Sequence, residues 1–72
     1  MLALRGEPPV SEKREVIYEF IHVGGAVKVT AVDAATGIEA SIVGDPAAGE
    51  TALKRLARQK LDYVMERRRG EH

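Results

Sequence analysis

Apolar and polar residues alternate through Glu15–Val43, then switch to a helical spacing over Thr51–Arg68. Period two marks strands with one buried face, and a 3.6 period marks an amphipathic helix. The first run, Glu15–Val23, sets Val16, Tyr18, Phe20 and His22 against Ile17, Glu19, Ile21 and Val23. Gly24-Gly25 follows, a two-residue hairpin signal because both positions tolerate positive φ. The second run, Ala26–Asp33, sets Val27, Val29 and Ala31 against Lys28, Thr30 and Val32. Ala34-Ala35-Thr36-Gly37 then reads as a four-residue turn with glycine at its left-handed position. The third run, Ile38–Val43, sets Ile38, Ala40 and Ile42 against Glu39, Ser41 and Val43. The expected fold is α+β: a three-stranded antiparallel β-meander followed by one C-terminal amphipathic helix packed on one sheet face, β-β-β-α.

The turn lengths fix a register that the hydrophobic pattern can test. A two-residue turn pairs Val23 with Ala26, hence Phe20 with Val29 and Tyr18 with Ala31. A four-residue turn pairs Asp33 with Ile38, hence Ala31 with Ala40 and Val29 with Ile42. One face then carries the rows Val16–Asp33–Ile38, Tyr18–Ala31–Ala40 and Phe20–Val29–Ile42, apolar except at its margin. The small Ala31 and Ala40 leave a trough for a helix, and Tyr18 and Phe20 are assigned to the core. The opposite face carries Ile17–Val32–Glu39, Glu19–Thr30–Ser41 and Ile21–Lys28–Val43. A polar middle row there lies between aliphatic residues.

Leu53, Leu56, Ala57, Leu61 and Val64 follow helical spacing, widened by Met65. Asp45-Pro46 is a helix-start signal, but Gly49 interrupts it and moves the expected start toward Glu50. Glu50 and Lys54 are an i,i+4 pair. Arg67–Arg69 suit the negative end of the helix dipole, and Gly70 suits its end. Met1–Arg14 has no periodicity and contains Pro8-Pro9, so residues 1–14 read as a flexible leader. Residues 15–69 read as a single domain and 70–72 as a tail.

Charge alters this picture more than composition does. The formal net charge is zero, which disfavours nonspecific binding to nucleic acid or anionic lipid. Yet residues 50–69 hold seven basic residues against three acidic ones, while residues 1–49 hold four against seven. A basic helix is expected on a mildly acidic sheet. The chain has no cysteine, which excludes disulfides and thiolate metal sites and favours the cytoplasm. No apolar run reaches the roughly 18 residues of a membrane span, so membrane insertion is not expected.

Candidate chemistry is sparse. The two histidines, His22 and His72, are too few for catalytic zinc, which uses three protein ligands, so no metal is expected. Glu19 and Glu39 share a face but stand one row apart on opposite outer strands, with no cleft to raise a pKa. They read as solvated strand charges that discourage wrong pairing. Ser41 and Thr30 have no histidine beside them in the register, so no nucleophile–base pair forms. Neither phosphate-loop spacing nor GxGxxG is present, and Asp45 and Glu50 would repel an anion at the helix start. No catalytic residue and no cofactor is expected. A sheet that reads DNA needs Arg, Lys and aromatic side chains on its open face, and here Lys28 stands alone against Glu19 and Glu39.

The run EVIYEFIHVGGAVKVTAVDAATGIEASIVG followed by ALKRLARQKLDYVM resembles a family of small single-domain bacterial proteins of unknown function. The likeness lies in a strand, a glycine turn, the pattern VKVTA-DA-TG-E-SIVG and a basic amphipathic helix, over about Glu15–Met65. It implies no catalytic residue, cofactor or partner. The expected role is a small noncatalytic protein–protein interaction module, a homodimer or the partner of another protein. Its interface is the open face: Ile17, Glu19, Ile21, Lys28, Thr30, Val32, Glu39, Ser41 and Val43. The alternative is a nucleic-acid accessory protein using the basic residues Lys54, Arg55, Arg58, Arg67, Arg68 and Arg69.

Overall fold

Two glycine-containing turns decide how the strands pair. A computed structural model describes residues 15–70; the leader expected over 1–14 and the last two residues of the tail lie outside them. β1 (Val16–Val23), β2 (Ala26–Asp33) and β3 (Glu39–Gly44) form an antiparallel sheet in the order β1-β2-β3. The register matches the one deduced from turn length: Phe20↔Val29, Tyr18↔Ala31, Ala31↔Ala40 and Val29↔Ile42 are Cα partners. In the first turn only Gly24 has positive φ, at 60°. Positive φ at the first central residue alone is the type II′ pattern, whose twist suits a hairpin.

The second turn is organised by Asp33, which is almost fully buried. Its Oδ2 accepts from the Thr36 N–H at 3.0 Å and the Thr36 hydroxyl at 2.7 Å. Its backbone accepts from the Gly37 N–H at 2.7 Å and donates to the Ile38 carbonyl at 2.8 Å. A carboxylate is rarely buried without such partners. What looked like the polar margin of the core is therefore the internal tie of a turn.

The Asp45-Pro46 signal starts a short 3₁₀ turn, Pro46–Ala48, and not the long helix. Asp45 Oδ1 accepts from the Ala47 N–H at 2.9 Å. After Gly49 the chain begins α1 (Glu50–Gly70), with the Leu53 N–H donating to the Gly49 carbonyl at 3.1 Å. The helix ends at Gly70, its last residue.

Leu53, Ala57 and Leu61, spaced i, i+4, i+8, are the buried residues of α1. They meet Val27, Val29, Ala31 and Ala40 in one cluster. The helix packs on β3 and β2, because the short connection from Gly44 holds its start beside β3. Gly44 makes that closeness possible: a Cβ there would lie 2.6 Å from Leu53 Cδ2. One expectation is refined as a result and one changes. Tyr18 and Phe20 pack against the core as expected, half-buried at its margin. Leu56 is 50% exposed, because the seam is narrower than the apolar stripe.

Candidate functional site: the open sheet face

In a pleated sheet, side chains of directly paired residues share a face. The observed pairs therefore bring Ile17, Glu19, Ile21, Lys28, Thr30, Val32, Glu39, Ser41 and Val43 onto one side. The buried cluster, with α1, lies on the other. Ile17 is 53% exposed, Ile21 42% and Val43 71%, so this face is uncovered within the described chain. Val23 belongs to it as well, paired with Ala26 beside the turn and largely exposed. The same alternation that selected Ile17 and Ile21 includes Val23, which the expected interface omitted.

The middle row behaves differently from its flanks. Thr30 is only 6% exposed, although no helix covers it. Its Oγ1 lies 2.7 Å from Ser41 Oγ across the strand pair. Such a bond satisfies two hydroxyls that flanking side chains partly shield from water. The face is thus a tied polar ridge between Ile17 and Val32 at one end and Ile21 and Val43 at the other. Glu19 and Glu39 stand on the outer strands and Lys28 on the central one, all exposed. His22 points to the opposite side, by the same alternation, so it is no base for either hydroxyl.

Four of the six basic residues of the alternative, Lys54, Arg58, Arg67 and Arg69, have partners within the chain. Lys54 Nζ lies 5.4 Å from the centroid of the Tyr18 ring, a cation–π contact in place of the expected pairing with Glu50. Arg58 Nε donates to Asp62 Oδ1 at 3.4 Å. Burial opposes the charge of Arg58, but hydrogen bonding to Tyr18 and the Asp62 carboxylate outweigh it, and its pKa is raised. Lys54 and Arg58, one turn apart, therefore both bring their charged heads to Tyr18 of β1. Arg67 donates to the Tyr63 hydroxyl at 3.1 Å, and Arg69 to Glu66 Oε1 at 2.9 Å. Arg55 and Arg68 are exposed on the same helix.

Lys60 was not singled out by sequence, yet its Nζ donates to the Ser41 carbonyl at 2.8 Å. That carbonyl belongs to the outer edge of β3, and no sequence period announces a long side chain reaching over it. His22 and Phe20 line a shallow depression with Val27, Pro46, Glu50 and Leu53. Among the described residues no three His, Cys, Asp or Glu side chains are grouped to hold a metal ion. Among them, too, no helix is long and apolar enough to cross a membrane.

No curated protein and no solved structure matches the chain. A family model does match, described as Domain of unknown function (DUF6898), over residues 13–68. The matched span takes in all three strands and α1 down to Arg68, including the turn, Gly44 and the open-face residues, and on that coverage the chain belongs to the DUF6898 family.

Proposed function

We propose that this domain is a small noncatalytic protein–protein interaction module whose open sheet face docks on a second copy of itself. The carrying observation is the exposure of Ile17, Ile21, Val23 and Val43 on a single face. Exposed aliphatic residues are ordinary when scattered and informative when one surface collects them. Charge supports a second copy as occupant. Lys28 is central and Glu19 and Glu39 are lateral, so two faces stacked about a two-fold axis can set each Lys28 against an acid of the other. An isologous contact of this kind is the commonest route to a closed dimer. The noncatalytic reading rests on Thr30 and Ser41 bonding to each other, with His22 on the far side of the sheet.

The nucleic-acid alternative has less support, because Lys54, Arg58, Arg67 and Arg69 are engaged within the chain. The test is sedimentation of the full chain across the micromolar range, with Val43→Glu beside it. Val43 is 71% exposed, so the variant folds normally while burying a charge in any stacked pair. A smaller associated species in the variant than in the wild type, with the face-stacked form missing, is the expected result. A wild-type chain monomeric at high micromolar concentration would sink the proposal.

A further inference from the structure

Parity settles which backbone groups of β1 are already used. A two-residue turn makes Val23 and Ala26 a pair that exchanges both hydrogen bonds. At the far end of the same ladder the Ala34 N–H donates to the Glu15 carbonyl at 3.0 Å. The odd-numbered residues of β1 therefore aim their N–H and C=O groups at β2. Tyr18, Phe20 and His22 aim theirs outward, and β1 is an outer strand. Among the described residues no backbone group bonds to that edge. The strand is eight residues long, lacks proline and pairs with β2 without a bulge. Such an edge is a template for another strand.

The geometry points to β1 pairing antiparallel with β1 of a second copy, about a two-fold axis at Phe20, to give a continuous six-stranded sheet. It uses backbone atoms of β1 and not the side chains of the open face, so it stands apart from the face-docking reading. Only even-numbered residues offer outward groups, so even must pair with even. Two registers then overlap the strand most fully. One sets Glu19 opposite its own copy, which like charges disfavour. The other sets Phe20 opposite Phe20, Ile17 opposite Val23, Tyr18 opposite His22 and Glu19 opposite Ile21. Glu19 thus selects the second register, which keeps the two Glu19 carboxylates from facing each other and sets Ile17 opposite Val23 and Phe20 opposite Phe20.

Two further features fit. Directly paired residues share a face, so both helices end on the same side of the joined sheet. Each lies over β2 and β3, so their axes stand about 19 Å apart, four strand spacings. Helices about 10 Å wide leave a trough between them, and Tyr18, Phe20 and His22 of both copies fill it. On the other side, one open face has a plan area of about 350 Å² from strand spacing and rise. Edge pairing doubles it.

The test is amide hydrogen exchange on the full chain at low and high concentration, with sedimentation to give the mass. As association proceeds, the amides of Tyr18, Phe20 and His22 gain at least tenfold protection. His22→Pro removes an outward N–H that the internal ladder does not use, a position where edge strands accept proline. It should weaken association at least tenfold and leave the dilute protein folded. Should that variant misfold, the exchange measurement still decides. Exchange at these three amides that ignores concentration overturns the proposal. So does full protection in a monomer, which would assign the edge to the chain's own residues. Val43→Glu leaves β1 protection intact while removing face stacking, so the two contacts fail separately.

Discussion

The two flanks of the sheet lie under the same helix and are treated differently. On the β3 side Leu53 fits over Gly44, at a distance where a Cβ would require the Leu53 side chain to shift. Lys60 there reaches down to the Ser41 carbonyl. On the β1 side Tyr18 and Phe20 are half-buried, and Lys54 and Arg58 both reach Tyr18. The short link after β3 accounts for the asymmetry, since it anchors α1 over β3 and β2. Tight packing and an occupied edge go together on one side; a loose margin and a backbone edge left open by the described residues go together on the other. Folding stability should therefore concentrate at β2, β3 and α1, and association at β1.

The sharpest way to break this comparison is to empty the tight side. Leu61 is fully buried among Val27, Val29, Ala31 and Ala40. Leu61→Ala should lower the unfolding free energy by about 3 kcal/mol, measured by urea denaturation. In a domain of this size such a loss leaves little folded protein. Next in size is Gly44→Val, which forces Leu53 aside. We expect a loss of about 2 kcal/mol from overpacking. Combined with Leu53→Ala, it should cost clearly less than the two single changes added together, because the clash is removed. Strict additivity would mean that Gly44 is not what lets the helix approach.

The loose side should respond less. Phe20→Ala removes a half-buried ring, and we expect roughly 1–2 kcal/mol, below the 3–5 of a buried aromatic. A loss equal to that of Leu61→Ala would erase the difference between the flanks. This difference was not legible in the sequence. Alternation states which face a side chain takes, and turn length states its partner, so the register of Phe20 with Val29 and Ile42 could be read directly. Neither states where a helix sits sideways across three strands. The apolar stripe of α1 was broad enough to include Leu56, and the choice of a seam through Leu53, Ala57 and Leu61 came from the connection and from Gly44. Asp33 and Thr30 escaped for another reason. Both are polar by type and buried by their partners, Thr36 and Ser41, and a pattern of residue types carries no partners. The open face, by contrast, follows from alternation alone, which is why its membership was recovered apart from Val23.

The smallest expected effect concerns Lys60, and it bears most directly on the two edges. The Lys60 ammonium is exposed, so Lys60→Met should change stability by no more than about 0.5 kcal/mol. Its consequence should appear elsewhere. In β3 the odd-numbered residues point outward, as the engaged Ser41 carbonyl shows. A hydrated charge held over that carbonyl obstructs an incoming strand, a common protection of sheet edges. Replacing it by an apolar chain of similar length should leave β3 as open as β1. The variant should then form larger species than the wild type at high concentration, with new protection at the Glu39, Ser41 and Val43 amides. If it sediments like the wild type and those amides exchange as before, Lys60 is only a bystander. The contrast between the flanks would then rest on packing alone, and the choice of β1 as the pairing edge would have to come from its length and side chains.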